Sequence, residues 1–444
     1  MKVKALSLLL SIVALQGVFA QQKKWTLREC VEYAREHNIS ILQSTLDAQD
    51  AAIDRKDAIG NFLPDANLSA SHTWSIGLNQ NITTGLLQNQ TTQYTSAGIS
   101  SNVDIYKGLQ NLNRLYRARL NGVAAQYKLS KMQDDVSLNV ANAYLQIVFN
   151  RETLKVRNAQ LQNDEKQAAR TEELVKAGSI PRGDLLDMQA TVATDRQQVL
   201  IAENTLLLSR LSLAQLLQLD DFQSFDIEDR DYAVVESPTM LQTPQAIFDK
   251  ARQERVEIKI ARTNLEIAER DMKIAKGGLQ PQLSGFYSFD TRAVWLQDFP
   301  NPALFNQFSD NKGHNFGLRL IVPVLNGFSA KNNVERSKIN RERFKVAYEQ
   351  AELDLERNVY TAFTDAKGAL NSYEAAVAAL EARTEAYNYA KEKFNVGLMN
   401  AFELNQAQTL YTNAQSEVLR TKFDYIFRVK VVEFYFGIPI MNQN

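Results

Sequence analysis

The sequence predicts a mostly α-helical chain that also carries four membrane-spanning β-strands, arranged as a tandem repeat. Three observations lead there. Prolines divide the chain into very long helical stretches and short alternating strands. Four pairs of segments resemble one another in order, at offsets of 217 or 219 residues. The strands present one apolar and one polar face, behind an N-terminus laid out for export.

The N-terminus comes first. Lys2 and Lys4 precede the apolar run Ala5 to Ala14 and the small-residue end "GVFA", which is the layout of a secretory signal peptide over residues 1–20, cleaved near Ala20. The apolar run is short for an uncleaved span of about 20 residues. No run of eighteen apolar residues follows it. Membrane insertion beyond it must therefore use strands, because in lipid only helices and closed barrels satisfy their backbone groups.

The first repeat is expected over residues 21–219, a link over 220–242, the second repeat over 243–436 and a tail over 437–444. "TLRECVEYAREHNISI" from Thr26 answers "TPQAIFDKARQERVEI" from Thr243, and "GNFLPDANLS" answers "GGLQPQLS", with Pro64 matching Pro281. "VDIYKGLQN" from Val103 answers "VPVLNGFSA" from Val322, and "AGSIPRGDLLDMQA" from Ala177 answers "VGLMNAFELNQAQT" from Val396. Each repeat reads helix, strand, loop, strand, long helix, turn, helix. The expected bounds are 26–60, 64–78, 94–106, 109–176 and 184–219, then 243–276, 281–292, 314–325, 328–395 and 403–434. A helix of about 68 residues would run roughly 100 Å, too long for a compact domain. Leu138, Val140, Ala141, Tyr144, Leu145, Val148 and Phe149 recur at mixed three and four spacing, as lateral packing in a helical wall requires.

In "NLSASHTWSIGLN" Leu68, Ala70, His72, Trp74, Ile76 and Leu78 share one face, and Asn67, Ser69, Ser71, Thr73 and Ser75 the other. Ala97, Ile99, Val103 and Ile105 continue the pattern, as do Phe316, Leu318, Leu320, Val322 and Val324. The lipid-facing set is expected to include Leu68, Trp74, Ile76, Phe316, Leu318, Leu320 and Val322, with Trp74, Tyr94, Tyr287 and Trp295 near strand ends where aromatic girdles form. Residues 79–93 read as an extracellular loop. Four strands leave two open edges that lipid does not tolerate, so copies of the chain must close the sheet. Three copies give twelve strands; two give eight, a barrel whose interior side chains fill.

The chemistry-bearing classes are sparse. The 444 residues carry a formal charge of -1, so no basic field calls for a nucleic-acid partner. Cys30 is a lone cysteine, and His37, His72 and His314 are scattered without metal-ligand spacing. No phosphate-binding G-x-x-x-x-G-K-[ST], nucleophile elbow or H-E-x-x-H occurs, so neither a cofactor nor an enzymatic activity is expected.

The tandem order, the entry "WTLRECVEYAREHN" and the paired turns "KAGSIPRGDLLDMQA" and "NVGLMNAFELNQAQ" resemble the TolC family of outer-membrane efflux proteins over nearly the whole mature chain. The resemblance implies a homotrimer in outer-membrane lipid: a 12-stranded β-barrel, four strands per chain, continued by a long periplasmic α-helical barrel. It implies an exit duct for efflux or type I secretion, joined to a periplasmic adaptor (membrane fusion) protein and powered by an inner-membrane RND or ABC transporter. It further implies a periplasmic gate at Glu403, with Asp184, Asp187 and Gln406 at related places, although Gln406 stands where an acid is expected. Gly178, Ser179, Ile180, Gly397, Leu398 and Met399 form the turns proposed to touch the adaptor, and each glycine also suits a helix C-terminus in the left-handed region. Asp184 and Glu403 also suit a helix N-terminus, where acids complement the macrodipole. A soluble periplasmic helical-hairpin adaptor or scaffold is the alternative, and it would not need strand faces as apolar as Leu318 and Leu320.

Overall fold

The structure, a computed structural model, describes residues 24–80, 85–230, 232–235, 237–296 and 300–438. The expected signal peptide and most of the expected C-terminal tail lie outside the described residues.

Thr26 opens the first helix. It accepts a hydrogen bond from the Glu29 amide at 3.2 Å, and Glu29 Oε2 accepts one from the Thr26 amide at 2.9 Å, a reciprocal cap. The helix expected over 26–60 is two: α1 (Leu27–His37) and α2 (Ile39–Gly60). Asn38, at φ -66 and ψ 128, leaves the helix between them. Its Oδ1 accepts from the Ser40 amide at 2.9 Å, and its Nδ2 donates to the Leu216 carbonyl at 3.0 Å. The second repeat breaks at the matching position, Arg255, at φ -66 and ψ 133, so the helix expected over 243–276 is also two.

After β1 (Lys24–Trp25), α1 and α2 come β2 (Asn67–Gln80), β3 (Leu87–Lys107), α3 (Gln110–Lys176) and α4 (Arg182–Leu217). The link contributes β4 (Asp226–Ile227) and a 3-10 turn, Pro238–Leu241. The second repeat follows as α5 (Pro244–Glu254), α6 (Val256–Gly277), β5 (Gln282–Leu296), α7 (Leu304–Asp310), β6 (Gly313–Ile321), α8 (Ser329–Asn395) and α9 (Ala401–Tyr435).

Two compact units form, and each takes segments from both repeats. One comprises Thr45–Lys128 with Glu257–Ala351; the other comprises the residues up to Ser44, Leu129–Val256 and those from Glu352 onward.

The first unit holds an antiparallel sheet in the order β2-β3-β5-β6. The row Leu68, Ile99, Phe289 and His314 runs straight across it, as does the row Trp74, Gln93 and Trp295. Phe316, Leu318 and Leu320 join that face through Tyr287, Gly285 and Leu283, and Leu68, Ile76 and Phe316 are highly exposed there. Tyr94 pairs with Thr73 and Val294 and so belongs to the opposite, Ser/Thr-rich face, not to a girdle with Trp74. There Ser71 Oγ and Ser96 Oγ hydrogen-bond at 2.8 Å.

Two strand limits differ from expectation. The expected loop 79–93 is mostly ladder, since Leu78 pairs with Asn89 and Gln80 with Leu87. Polar Thr, Gln and Asn pairs carry no apolar alternation, although β-branched Thr91 and Thr92 favour a strand. In contrast, β6 stops at Ile321, because Pro323 lacks an N–H and restricts the residue before it. Val322 therefore falls just beyond the strand. Between β5 and β6, α7 folds back onto β5. Thr291 Oγ1 donates to the Phe308 carbonyl at 2.7 Å and the Val294 amide to Gln307 Oε1 at 2.8 Å, burying Ala293 completely.

In the second unit a continuous core joins Val31, Val140, Tyr144, Ile147, Leu213, Leu217 and Ile227. Lys24–Trp25 pairs in parallel with Asp226–Ile227, tying the start of the described chain to the link. Arg151 Nη2 fastens this pairing by donating to Asp226 Oδ1 at 2.6 Å. Helix α4 is long and apolar enough, by length and composition alone, to cross a membrane. Its large exposed apolar side chains are Leu186, Leu200, Ile201, Leu207 and Leu208.

Candidate functional site

The site is built where two helical hairpins turn. At the first turn the Gly178 amide donates to the Val175 carbonyl at 3.0 Å and the Ser179 amide to Leu174 at 2.9 Å, with Gly178 at φ 72. At the second the Gly397 amide donates to Phe394 at 3.1 Å and the Leu398 amide to Lys393 at 2.9 Å, with Gly397 at φ 75. Both are left-handed helix terminations that glycine accepts without strain. The turn side chains divide. Leu398 is 78 % exposed and Ser179 is exposed, whereas Met399 packs toward Phe394, Ala401 and Leu404, and Ile180 is half-buried.

Beyond the turns, α4 and α9 start differently. Asn400 caps α9 by accepting the Glu403 amide at 2.8 Å through Oδ1, whereas Pro181 gives α4 no side-chain cap. Glu403 is exposed and Asp184 half-buried, each in the first turn of its helix. One turn further, Asp187 and Gln406 come together. With Thr191, Phe402, Asn405, Thr409 and Leu410 they line a cleft of about 450 Å³. Asn405 Nδ2 donates to Thr191 Oγ1 across it at 2.9 Å. Glu403 and Asp184 are not among the lining residues.

Sequence reasoning missed a second, deeper feature. Asp164 of α3 is almost fully buried, and its carboxylate accepts from Gln160 Nε2 at 2.7 Å and from Gln408 Nε2. Thr412 Oγ1 donates to Gln160 Oε1 at 2.9 Å. Asp195 of α4 faces this group, and no donor reaches its buried Oδ2. Burial, followed by the hydrogen bond and charge of Asp164, pushes the Asp195 carboxyl up to about 7, while Arg157 acts the other way. Below about pH 7 the protonated form of Asp195 is therefore favoured beside Asp164. Tyr387, stacked on Tyr411 at 5.2 Å, is likewise raised by burial and by Asp164. The available signal was a buried stripe on α9, Ala401, Leu404, Gln408 and Thr412, in which polar residues take over the inward positions. Among the described residues no group of three His, Cys, Asp or Glu side chains could hold a metal ion.

This geometry gathers polar and titratable side chains of α3, α4 and α9 beside the two turns. The profile of the family described as "Outer membrane efflux protein" matches residues 31–218 and 247–426. The pyoverdine export outer membrane protein OpmQ of Pseudomonas aeruginosa is 26 % identical over 283 residues, covering 63 % of this chain and 55 % of the relative. The chain thus aligns with little more than half the length of that relative. The outer membrane protein TolC of Vibrio cholerae is 22 % identical over 413 residues, covering 91 % of this chain and 88 % of the relative. The Campylobacter jejuni CmeC outer membrane channel superposes with a TM-score of 0.80 at 17 % identity, covering 93 % of this chain and 85 % of that one.

Proposed function

We propose, because the chain belongs to the outer membrane efflux protein family, that it is a passive outer-membrane channel serving as an exit duct and that it works as a trimer whose inner end carries the site described above. The observation that carries this reading is the open four-stranded sheet with one apolar, exposed face. Its edge strands cannot stay unpaired in lipid, and three copies supply a barrel of twelve strands. Leu68, Trp74, Ile76, Phe316, Leu318 and Leu320 then meet lipid, and the Ser71 face lines the water-filled passage.

In this reading three Glu403 side chains gather near the axis and form a ring of negative charge that favours cations. Asp187 and Gln406 sit one turn further along. The exposed tips at Ser179 and Leu398 receive a periplasmic adaptor, while the half-buried Met399 and Ile180 brace the turns. Energy comes from an inner-membrane RND or ABC transporter, since the duct itself carries no nucleotide-binding motif. Residues 1–20 act as the export signal. Pyoverdine export, named for the Pseudomonas relative, makes a secreted small molecule the first cargo class to try.

The test is single-channel conductance of the purified protein in a planar bilayer, paired with its mass in detergent. A trimer with small, cation-preferring currents is the expected result. A species that stays in the aqueous fraction and never inserts would sink the proposal.

A further inference from the structure

The two repeats match in three dimensions as well as in sequence. Shifting β2 by 217 residues and β3 by 219 reproduces the second hairpin's register: Leu68 opposite Ile99 becomes Gly285 opposite Leu318. Gly108 and Leu109, at φ 56 and 57, recur as Gly327 and Phe328, at φ 59 and 63. Arg35 donates to Gln133 at 3.2 Å, and its counterpart Arg252 pairs with Glu352 at 3.0 Å.

Within one chain the repeats also meet at a junction between β3 and β5. Ile99 pairs there with Phe289. Gly108 and Gly277 approach so closely that a Cβ on either would strike the other's carbonyl. Arg117 Nη1 meets Asp271 Oδ1 at 3.0 Å, and Tyr106 Oη donates to Gln280 Oε1. The same offsets give the counterparts of every one of these groups. They are Gly327 and Gly60, Arg336 and Asp54, Leu325 and Leu63. All of them stand open: nothing lies within 4 Å of a Cβ built on Gly60 or Gly327, Arg336 and Asp54 are exposed, and Leu325 and Leu63 are 95 % and 64 % exposed. They border β6 and β2, the sheet's two free edges.

We propose that a second copy of the chain repeats this junction, its β2 edge docking on β6 with Gly60 against Gly327, Asp54 against Arg336 and Leu63 against Leu325. The proposal rests on the trimer reading and adds a register to it. Carried over from β3 and β5, that register sets Leu318 opposite His72, Phe316 opposite Trp74 and Asn315 opposite Ser75 of the neighbouring copy. The carried-over pairing keeps all apolar side chains on one face, which a slip by one residue would not. It also retains opposite charge at Arg336 and Asp54, the same residue types as in the internal junction.

The test uses the full chain in detergent. Ser75→Cys combined with Asn315→Cys should yield disulfide-linked multimers on mild oxidation, whereas Thr73→Cys with Asn315→Cys should not. Cys30 is fully buried, and the single variants serve as controls. Gly60→Val should abolish the trimer although a lone chain has room for the side chain. Arg336→Asp should weaken the trimer, and adding Asp54→Arg should restore it. A trimer that links through Thr73 instead of Ser75, or that tolerates Gly60→Val, overturns this register and leaves the trimer standing. A wild-type chain that remains a single copy overturns both.

Discussion

Asp195→Asn should abolish a pH dependence that the wild-type helices carry. The Asp195 carboxyl is raised to about 7, with burial the largest cause and Asp164 the next. An acid raised on folding is bound to a proton in the native state where the unfolded chain has released it, so this group's contribution to stability is greatest below about pH 4 and declines as pH rises to about 7. The displacement of roughly three units sets a ceiling of about 4 kcal/mol at 1.36 kcal/mol per unit. Because the side chain is half-buried, solvent screening reduces the expected loss to about 1–2 kcal/mol. The groups facing the pair are Arg157 of α3, Tyr387 of α8 and Tyr411 of α9. Asparagine keeps the shape and a donor for Asp164 but never ionises. Thermal unfolding of the detergent-solubilised protein, followed by circular dichroism from pH 5 to 8, provides the assay. The wild-type midpoint should fall across this range by a few degrees, at about 2–4 °C per kcal/mol, while the variant's midpoint loses that component. An Asp195→Asn protein with the wild-type pH slope would refute the reasoning and move the titration to another group.

Three further outcomes are expected. Glu403→Ala should change conductance or cation preference in planar bilayers, and unchanged values in both would remove Glu403 from the gate. Gly397→Ala meets open space but must hold φ 75, so it should destabilise the hairpin tip by about 1–2 kcal/mol, read as faster amide exchange in the first turn of α9. Leu318→Arg places a charge on the proposed lipid face at a cost of about 2–4 kcal/mol near the bilayer midplane; normal membrane insertion yield would contradict that placement.

How far the sequence could be read depended on how local each cause was. Helix α3 was expected over 109–176 and spans Gln110–Lys176, because Gly108 and Gly178 end the pattern sharply at each side. Asn38 and Arg255 were invisible as breaks, since one extended residue leaves the apolar period almost intact and the stabilising partners are distant: Leu216 for Asn38 and the Phe434 ring, 3.8 Å away, for Arg255. The Asp164 group escaped for the same reason. Its members come from three helices, and each alone resembles a solvated polar residue. The strand faces were legible by alternation, and Tyr94 was misplaced because it was grouped by its position near a strand end, although its parity with Ser96 already sets it on the polar face.

The offsets that predict the contact between copies also show where the repeats have parted. Arg117 with Asp271 and, at the proposed junction between copies, Arg336 with Asp54 carry the same charges. A closed barrel would require that match, because its internal and external junctions must share one curvature and shear. The buried acid pair is not duplicated. The counterparts of Asp164 and Asp195 are Arg383 and Ala414, and those of Gln408 and Thr412 are Gln189 and Ala193. The carboxyl pair, with Asp195 raised by burial, therefore occurs at only one of the two matching places in each chain. In the proposed trimer this would make the two repeats unequal along α3, α4 and α9, two of which begin at the turns beside Asp184 and Glu403. Loosening at Asp195 as pH rises would act on alternate hairpins, not on the whole wall. Motion at the inner end is therefore expected to be unequal between the two repeats, with the larger amide-exchange response to pH in α4 and the smaller in α9, where Asn400 caps the first turn.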